Sequence, residues 1–273
     1  MGPWRPVVSA AAAALGTIGT VEAAQVLRES VSAADGDRAV VLADGCLRAA
    51  QQLREDGKTD AAAELYRMLR AERWPRRIRL AAFVGLVKAG TANTASLLVE
   101  GFGSDDELFR GHAARLVHRD VSVGVVKKVV AARADIPVNG QTRLLDALAS
   151  RGGSAGRGAA REALMADAKA IRLAGVRALG SVGTADDVEG LVELLNADTD
   201  EVRSAAAAAL RRVEGRDVSR AIADALDGAE PGPRVMLVRI LVDRRATGAL
   251  PEIVDALDSS SQKLRMTALR GLR

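Results

Sequence analysis

The sequence predicts an all-α solenoid, a row of about eight helical hairpins preceded by one unpaired helix. Three observations predict it: a repeating step between aliphatic positions, apolar residues at helical spacing around each step, and a core almost without aromatic rings. The step is found by counting. SAAAAAL occurs at residues 9–15 and again at 204–210. From Leu210, steps of 31 lead back to Leu179, Leu148, Val117 and Leu86, and forward to Leu241 and Leu272. Before Leu86 the spacing loosens, with Leu47 39 residues earlier and Leu15 a further 32. A period of 20–50 residues marks an array of supersecondary units, each of which buries its apolar face only against its neighbours.

Each unit reads as two helices. The first to be recognised ends near the anchor. Apolar residues eight, four and one before it share a helix face with the anchor itself. Seven before it stand Arg79, Arg110, Gln141, Arg172, Arg203, Arg234 and Arg265. This element is called the Arg helix. Four after the anchor stand Gly19, Gly90, Gly152 and Gly183, read as helix stops because glycine adopts the left-handed conformation without steric cost. A second helix follows, the Leu helix, clearest in 186–198, 218–228 and 250–260. Asp105, Asp167 and Asp198 fall in the turn that leads to the next Arg helix. No segment alternates with period two long enough to be a strand.

Composition agrees. Hydrophobic residues are 48% of 273, enough for a sizeable core, yet aromatic residues are only 2%. The core is therefore expected to be thin layers of Ala, Leu and Val. Alanine favours helix and is small enough for backbones to approach closely. The irregular part is 37–89: residues 37–56 read as one long helix and 57–75 as a tetratricopeptide-like hairpin, with regular 31-residue repeats over 90–273. The whole chain, 1–273, is read as a single array. Neither end carries a polar capping unit, so the array is expected to be part of a longer one. The opening MGP is read as a scar ahead of a helix rather than as a signal peptide.

These residues resemble the HEAT repeat family, in particular the short bacterial HEAT-like repeats related to phycobilisome lyases. The best match is ADDVEGLVELLNADTDEVRSAAAAALRRV, residues 185–213, with its leucine helix, turn aspartate, Val202–Arg203 pair and Ala-rich helix; Pro251 matches the proline of the family's first helix. The resemblance covers nearly the whole chain. It implies a right-handed α-α superhelix, Arg helices lining the concave side, Leu helices on the convex side, and a bacterial source. It also implies that the arginines at the seventh place before the anchor form a structural ladder: Arg79, Arg110, Arg172, Arg203, Arg234 and Arg265, with Asp198 as the clearest partner for Arg203.

The inner surface then becomes a candidate binding groove built from Arg115, Arg119, Arg177, Arg211, Arg212, Arg239 and Arg270. One Leu-helix column reads Glu100, Ala131, Glu162, Glu193, Asp224 and Asp255 at the same step. A formal charge of +4, from 39 basic and 35 acidic residues, would thus conceal a basic inner and an acidic outer face. A second candidate is the patch Tyr66, Arg70, Arg73, Trp74, Arg76 and Arg77, where aromatic rings lie among arginines and could stack on nucleobases. Its plainer reading is a helix end broken at Pro75, with Trp74 covering a join between repeats.

The expected function is a non-catalytic protein-interaction scaffold presenting a basic groove to an acidic partner segment. The alternatives are a nucleic-acid or polyanion binder and a phycobilin-lyase-like enzyme. No catalytic, cofactor or metal site is expected. His112 and His118, the two histidines, are six apart and so not on one helical face. No His-Glu pair is present to suggest the di-iron HEAT-repeat hydroxylases. Cys46, the single cysteine, forms no intrachain disulfide and reads as a small core residue. The residue set that HEAT-like DNA glycosylases use is not matched either, with Trp4 and Trp74 as the only tryptophans. No run of 18 apolar residues suggests a membrane span, and a cytoplasmic location is the default expectation.

Overall fold

A computed structural model describes residues 4–215 and 217–271, and among these there are helices and turns but no strand. The Leu272 anchor and the Arg273 end lie outside the described residues, as do the MGP opening and the side chain of Trp4. Contacts divide the chain into two compact units, Met1–Ile136 and Pro137–Arg273.

The first unit contains α1 (Trp4–Ile18), α2 (Val21–Ser32), α3 (Gly36–Glu55), α4 (Thr59–Leu69), α5 (Arg76–Lys88), α6 (Thr94–Gly103), α7 (Glu107–Arg119) and α8 (Val123–Ala131). The second contains α9 (Val138–Arg151), α10 (Ser154–Ala163), α11 (Lys169–Val182), α12 (Val188–Glu193), α13 (Asp200–Arg212), α14 (Val218–Asp224), α15 (Pro231–Asp243), α16 (Leu250–Asp255) and α17 (Gln262–Gly271). The odd-numbered helices are the Arg helices and the even-numbered ones the Leu helices. The long helix expected from residue 37 is α3, and the two SAAAAAL copies occupy α1 and α13.

In each unit the Arg helices stack on one another in chain order, α1 on α3 on α5 on α7, and α9 on α11 on α13 on α15 on α17. The core lies between this layer and the Leu helices. In the second unit the anchors Leu179, Leu210 and Leu241 meet Leu191, Leu195, Ile222 and Ile253 there, all essentially inaccessible to solvent. The described anchors that keep the 31-residue step, Leu86 to Leu241, are buried, as the period requires. Leu15 and Leu47, which precede it, are only half-buried. In α3 the core place belongs to Cys46, fully buried beside Ala49, Ala50 and Leu53, because a long helix with small residues sits closer to its neighbours. Burial pushes the Cys46 thiol up to about 12, so at neutral pH it is a packed apolar group without nucleophilic character.

Close stacking explains the small residues. A Cβ on Gly16 of α1 would lie 2.8 Å from the Gly45 carbonyl oxygen of α3, and one on Gly180 of α11 only 3.1 Å from Cα of Ala209 on α13. Both pairs are 29 residues apart, so the same crossing recurs in the two units.

Helix ends show a rule and an exception. Gly19, Gly90 and Gly152 have φ of 59°, 70° and 80°, the left-handed stops the sequence implies. Gly183 instead has φ −69°. Its lack of a side chain is needed for space, since a Cβ would lie 2.4 Å from the Leu179 carbonyl oxygen. In the same column after Leu241 stands Arg245, with φ 52° and no glycine to relieve it. Arg245→Gly is expected to stabilise the second unit by about 1 kcal/mol, the cost of a left-handed L-residue. Urea denaturation checks this, and an unchanged midpoint would contradict it.

The Leu helices of the second unit are shorter than the sequence suggests. Within 186–198, 218–228 and 250–260 only Val188–Glu193, Val218–Asp224 and Leu250–Asp255 are α-helical, and the first and last are flanked by 3-10 turns. Tightening to 3-10 is common at helix ends. Hydroxyls begin several Leu helices, a signal the anchor count passes over: five after the anchor, Thr20 accepts from the Ala23 N–H at 3.2 Å and Ser122 from the Val125 N–H at 3.4 Å. Thr184 forms a capping box with Asp187. Asp187 is buried and also receives the Arg161 guanidinium, whose pKa it raises through that hydrogen bond.

Candidate protein-binding surfaces

The arginine ladder is structural, and its acceptors differ from those expected. Four of the six ladder guanidiniums reach six residues back, to carbonyls at the end of the Leu helix before them. Arg110 donates to Ser104 O at 2.5 Å, Arg172 to Ala166 O at 2.6 Å, Arg203 to Ala197 O, and Arg265 to Ser259 O at 2.7 Å. These carbonyls lack intrahelical partners and sit at the negative end of a helix dipole. The pairing of Arg203 with Asp198 is corrected: its carboxylate partner is Asp200, three residues earlier on the same helix, while Asp198 is exposed. Arg79 and Arg234 hold the same column without a ladder bond to a carbonyl, Arg79 half-buried and Arg234 exposed.

Stacked Arg helices are also stapled by charge. Lys88 meets Asp120 at 3.4 Å, Arg211 meets Asp243 at 2.7 Å, and Lys169 meets Glu201. Each pair is 32 residues apart, one period plus one residue.

The aromatic and basic patch is not a stacking platform. Tyr66 and Trp74 are only 3% and 4% exposed, which removes both faces from any base. The Trp74 indole N–H donates to Met68 O at 3.0 Å, and the Arg73 guanidinium lies 4.4 Å from the ring centroid. Arg70 is held by Glu100, Arg76 by Asp106, and Arg77 by Asp44 at 2.6 Å. Arg70, Arg76 and Arg77 each pair with a neighbouring element, because a chain that turns at Pro75 brings them against α6, the start of α7 and α3.

The groove arginines divide. In the first unit Arg115 and Arg119 of α7 are exposed. In the second, Arg177, Arg239 and Arg270 are exposed on α11, α15 and α17, and among the described residues none of the three has an ion-pair partner. Arg212 is exposed and donates to Ser181 Oγ at 3.0 Å. Arg211 is the half-buried member of the staple to Asp243 and belongs to the scaffold. Between α15 and α17 a groove of about 470 Å³ is bordered by Arg239, Arg270 and Lys263, with Val242 and Met266 inside it. Asp243 is its one acid, already engaged by Arg211. The acidic column of the Leu helices, Glu100, Glu162, Glu193, Asp224 and Asp255, is exposed throughout.

A family model described as HEAT repeats matches residues 128–211, a stretch that takes in the short Leu helix α12 and nearly all of the Ala-rich α13 with its ladder arginine. Over those residues the chain is similar to HEAT repeats. No curated protein matches the sequence. Among solved structures, an engineered protein from a structural genomics consortium is 17% identical, covering 91% of this chain and 94% of its own, with a TM-score of 0.29. Cex1p is 12% identical over 90% of this chain and 51% of its own, TM-score 0.39, so the chain spans about half its length. Human deoxyhypusine hydroxylase in complex with glycerol is 14% identical over 99% and 98%, TM-score 0.35. At scores this low the likeness carries no functional information. Among the described residues no three His, Cys, Asp or Glu side chains gather where they could hold a metal ion, and no helix is long and apolar enough to cross a membrane. HEAT repeats commonly serve as protein-interaction scaffolds.

Proposed function

We propose that the chain is a non-catalytic scaffold whose Arg-helix surface binds an acidic segment of a partner protein. The observation that carries this reading is the set of exposed arginines on α11, α15 and α17 of the second unit, Arg177, Arg239 and Arg270, which have no ion-pair partner among the described residues, two of them bordering the α15–α17 groove. They share one column of the 31-residue step, and a rigid stack holds them without further ordering. Guanidinium groups suit carboxylates through paired N–H donors. Nucleic-acid recognition through stacked bases has less support, since Tyr66 and Trp74 are buried.

The test is fluorescence anisotropy with a labelled all-glutamate peptide. Binding is expected to weaken at least about tenfold when Arg177, Arg239 and Arg270 are all changed to alanine, and to fall steadily with salt, because exposed charges are screened beyond about 8 Å at physiological ionic strength. Affinity that ignores both the substitutions and the salt overturns the reading.

A further inference from the structure

The column that carries arginine on α7, α11, α15 and α17 is apolar on α5. In the column of Arg115, Arg177, Arg239 and Arg270, α5 places Val84. Around it the first unit has a groove of about 490 Å³ between α3 and α5. Leu47, Leu80 and Val84 give it aliphatic walls, each half-buried and so still reachable. Tyr66 forms part of the floor from the Leu-helix layer. Its ring fits there because Gly85 has no side chain: a Cβ on Gly85 would lie 2.3 Å from the ring. Leu47, half-buried rather than packed as an anchor, has its place here.

Every charged group lining this groove is a cation: Arg54, Arg77 and Lys88. Their carboxylate partners are Glu55 at 3.3 Å, Asp44 at 2.6 Å and Asp120 at 3.4 Å, and none of these acids lines the groove. Arginine has five N–H donors and lysine three, so each retains donors after these contacts. His112 completes the wall from α7; burial and the nearby Arg115 hold its pKa below the usual range, and it presents a neutral ring at neutral pH.

We infer that the α3–α5 groove is a second docking site, specific for an acidic partner segment that also carries aliphatic side chains. Charge complementarity selects the acids, and the aliphatic walls select the anchors, which a purely electrostatic surface would not do. This rests on the scaffold reading above and adds to it a separate place and a narrower partner chemistry.

The probe is a labelled peptide of about twenty residues, glutamate with leucine at every fourth position, compared with an all-glutamate peptide of equal length. The leucine peptide is expected to bind the full chain at least about tenfold more tightly than the control. Ala81 lines the groove and is exposed, so substitutions there leave the packing of α5 intact. Ala81→Glu should abolish the leucine advantage, Ala81→Gln should keep it within about threefold, and the triple arginine variant of the second unit should leave it unchanged. Circular dichroism melting confirms that all variants fold. Equal affinity for the two peptides, equal loss in the Glu and Gln variants, or displacement of the leucine peptide by single-stranded DNA overturns the inference. If the all-glutamate peptide still binds in a salt-dependent way when leucine adds nothing, this inference fails and the scaffold reading stands. If neither peptide binds, both fail.

Discussion

Gly45→Val is expected to lower the stability of the first unit by about 3 kcal/mol, at the upper end of the cost of overpacking. A Cβ at this position of α3 would be 2.8 Å from the Ala12 carbonyl oxygen and 3.0 Å from the Ala12 Cβ of α1. The nearest obstacle is main chain, which no rotamer change can move aside. Two further methyl groups would separate α1 from α3. Gly45→Ala should cost less, since the helix propensity gained, about 1 kcal/mol, offsets part of the clash. Urea denaturation, with hydrogen exchange read in α1, separates the two variants. A valine variant as stable as the parent would show that the helices are not in backbone contact.

Arg244→Met should cost about 2–3 kcal/mol in the second unit, from carbonyls left buried without donors. Arg244 sits at the C-terminus of α15 and reaches back to α13. Its Nη1 donates to Leu210 O at 2.8 Å, Arg211 O at 3.1 Å and Val213 O at 2.7 Å, and its Nε to Ser219 Oγ at 3.2 Å. One side chain thus closes the end of the Ala-rich helix and fixes the turn into α14. Burial lowers its pKa, yet a guanidinium stays protonated, so its charge also complements the helix dipole. Arg244→Lys should recover only part of the loss, because an ammonium lacks the planar fork. Amide exchange in α14 and across the turn from α13 should speed up in the methionine variant; unchanged protection there would contradict the clamp.

The architecture was legible because it is written in a period. Leu86, Leu148, Leu179, Leu210 and Leu241 needed only counting, and every one is buried. Leu47 shows where counting stops. Once the step lengthens, the register between helices is set by which small residues permit close approach, and Cys46 takes the core place. The ladder arginines were recognisable as structural, but their acceptors were not, since a backbone carbonyl looks the same in every sequence. Arg244 was passed over because its column holds no repeated residue type: Ala89, Asp120, Arg151, Val182 and Val213 precede it. In the Tyr66–Trp74 patch, composition suggested a surface, and burial decided otherwise. The staples at 32 residues were readable in principle, as Lys88 with Asp120 and Arg211 with Asp243, to anyone pairing opposite charges across one period.

Those staples and the ladder bonds have an outcome for how such a protein changes length. The four ladder arginines that bond carbonyls find their acceptors inside their own hairpins, and every staple needs only the next one along. A gene segment encoding one whole 31-residue block, copied in or cut out between α11 and α15, would arrive with its bonds complete and re-form those at its borders. A segment a few residues longer or shorter would misplace both sets at once. Insertion or removal of an entire block is therefore expected to leave the chain folded.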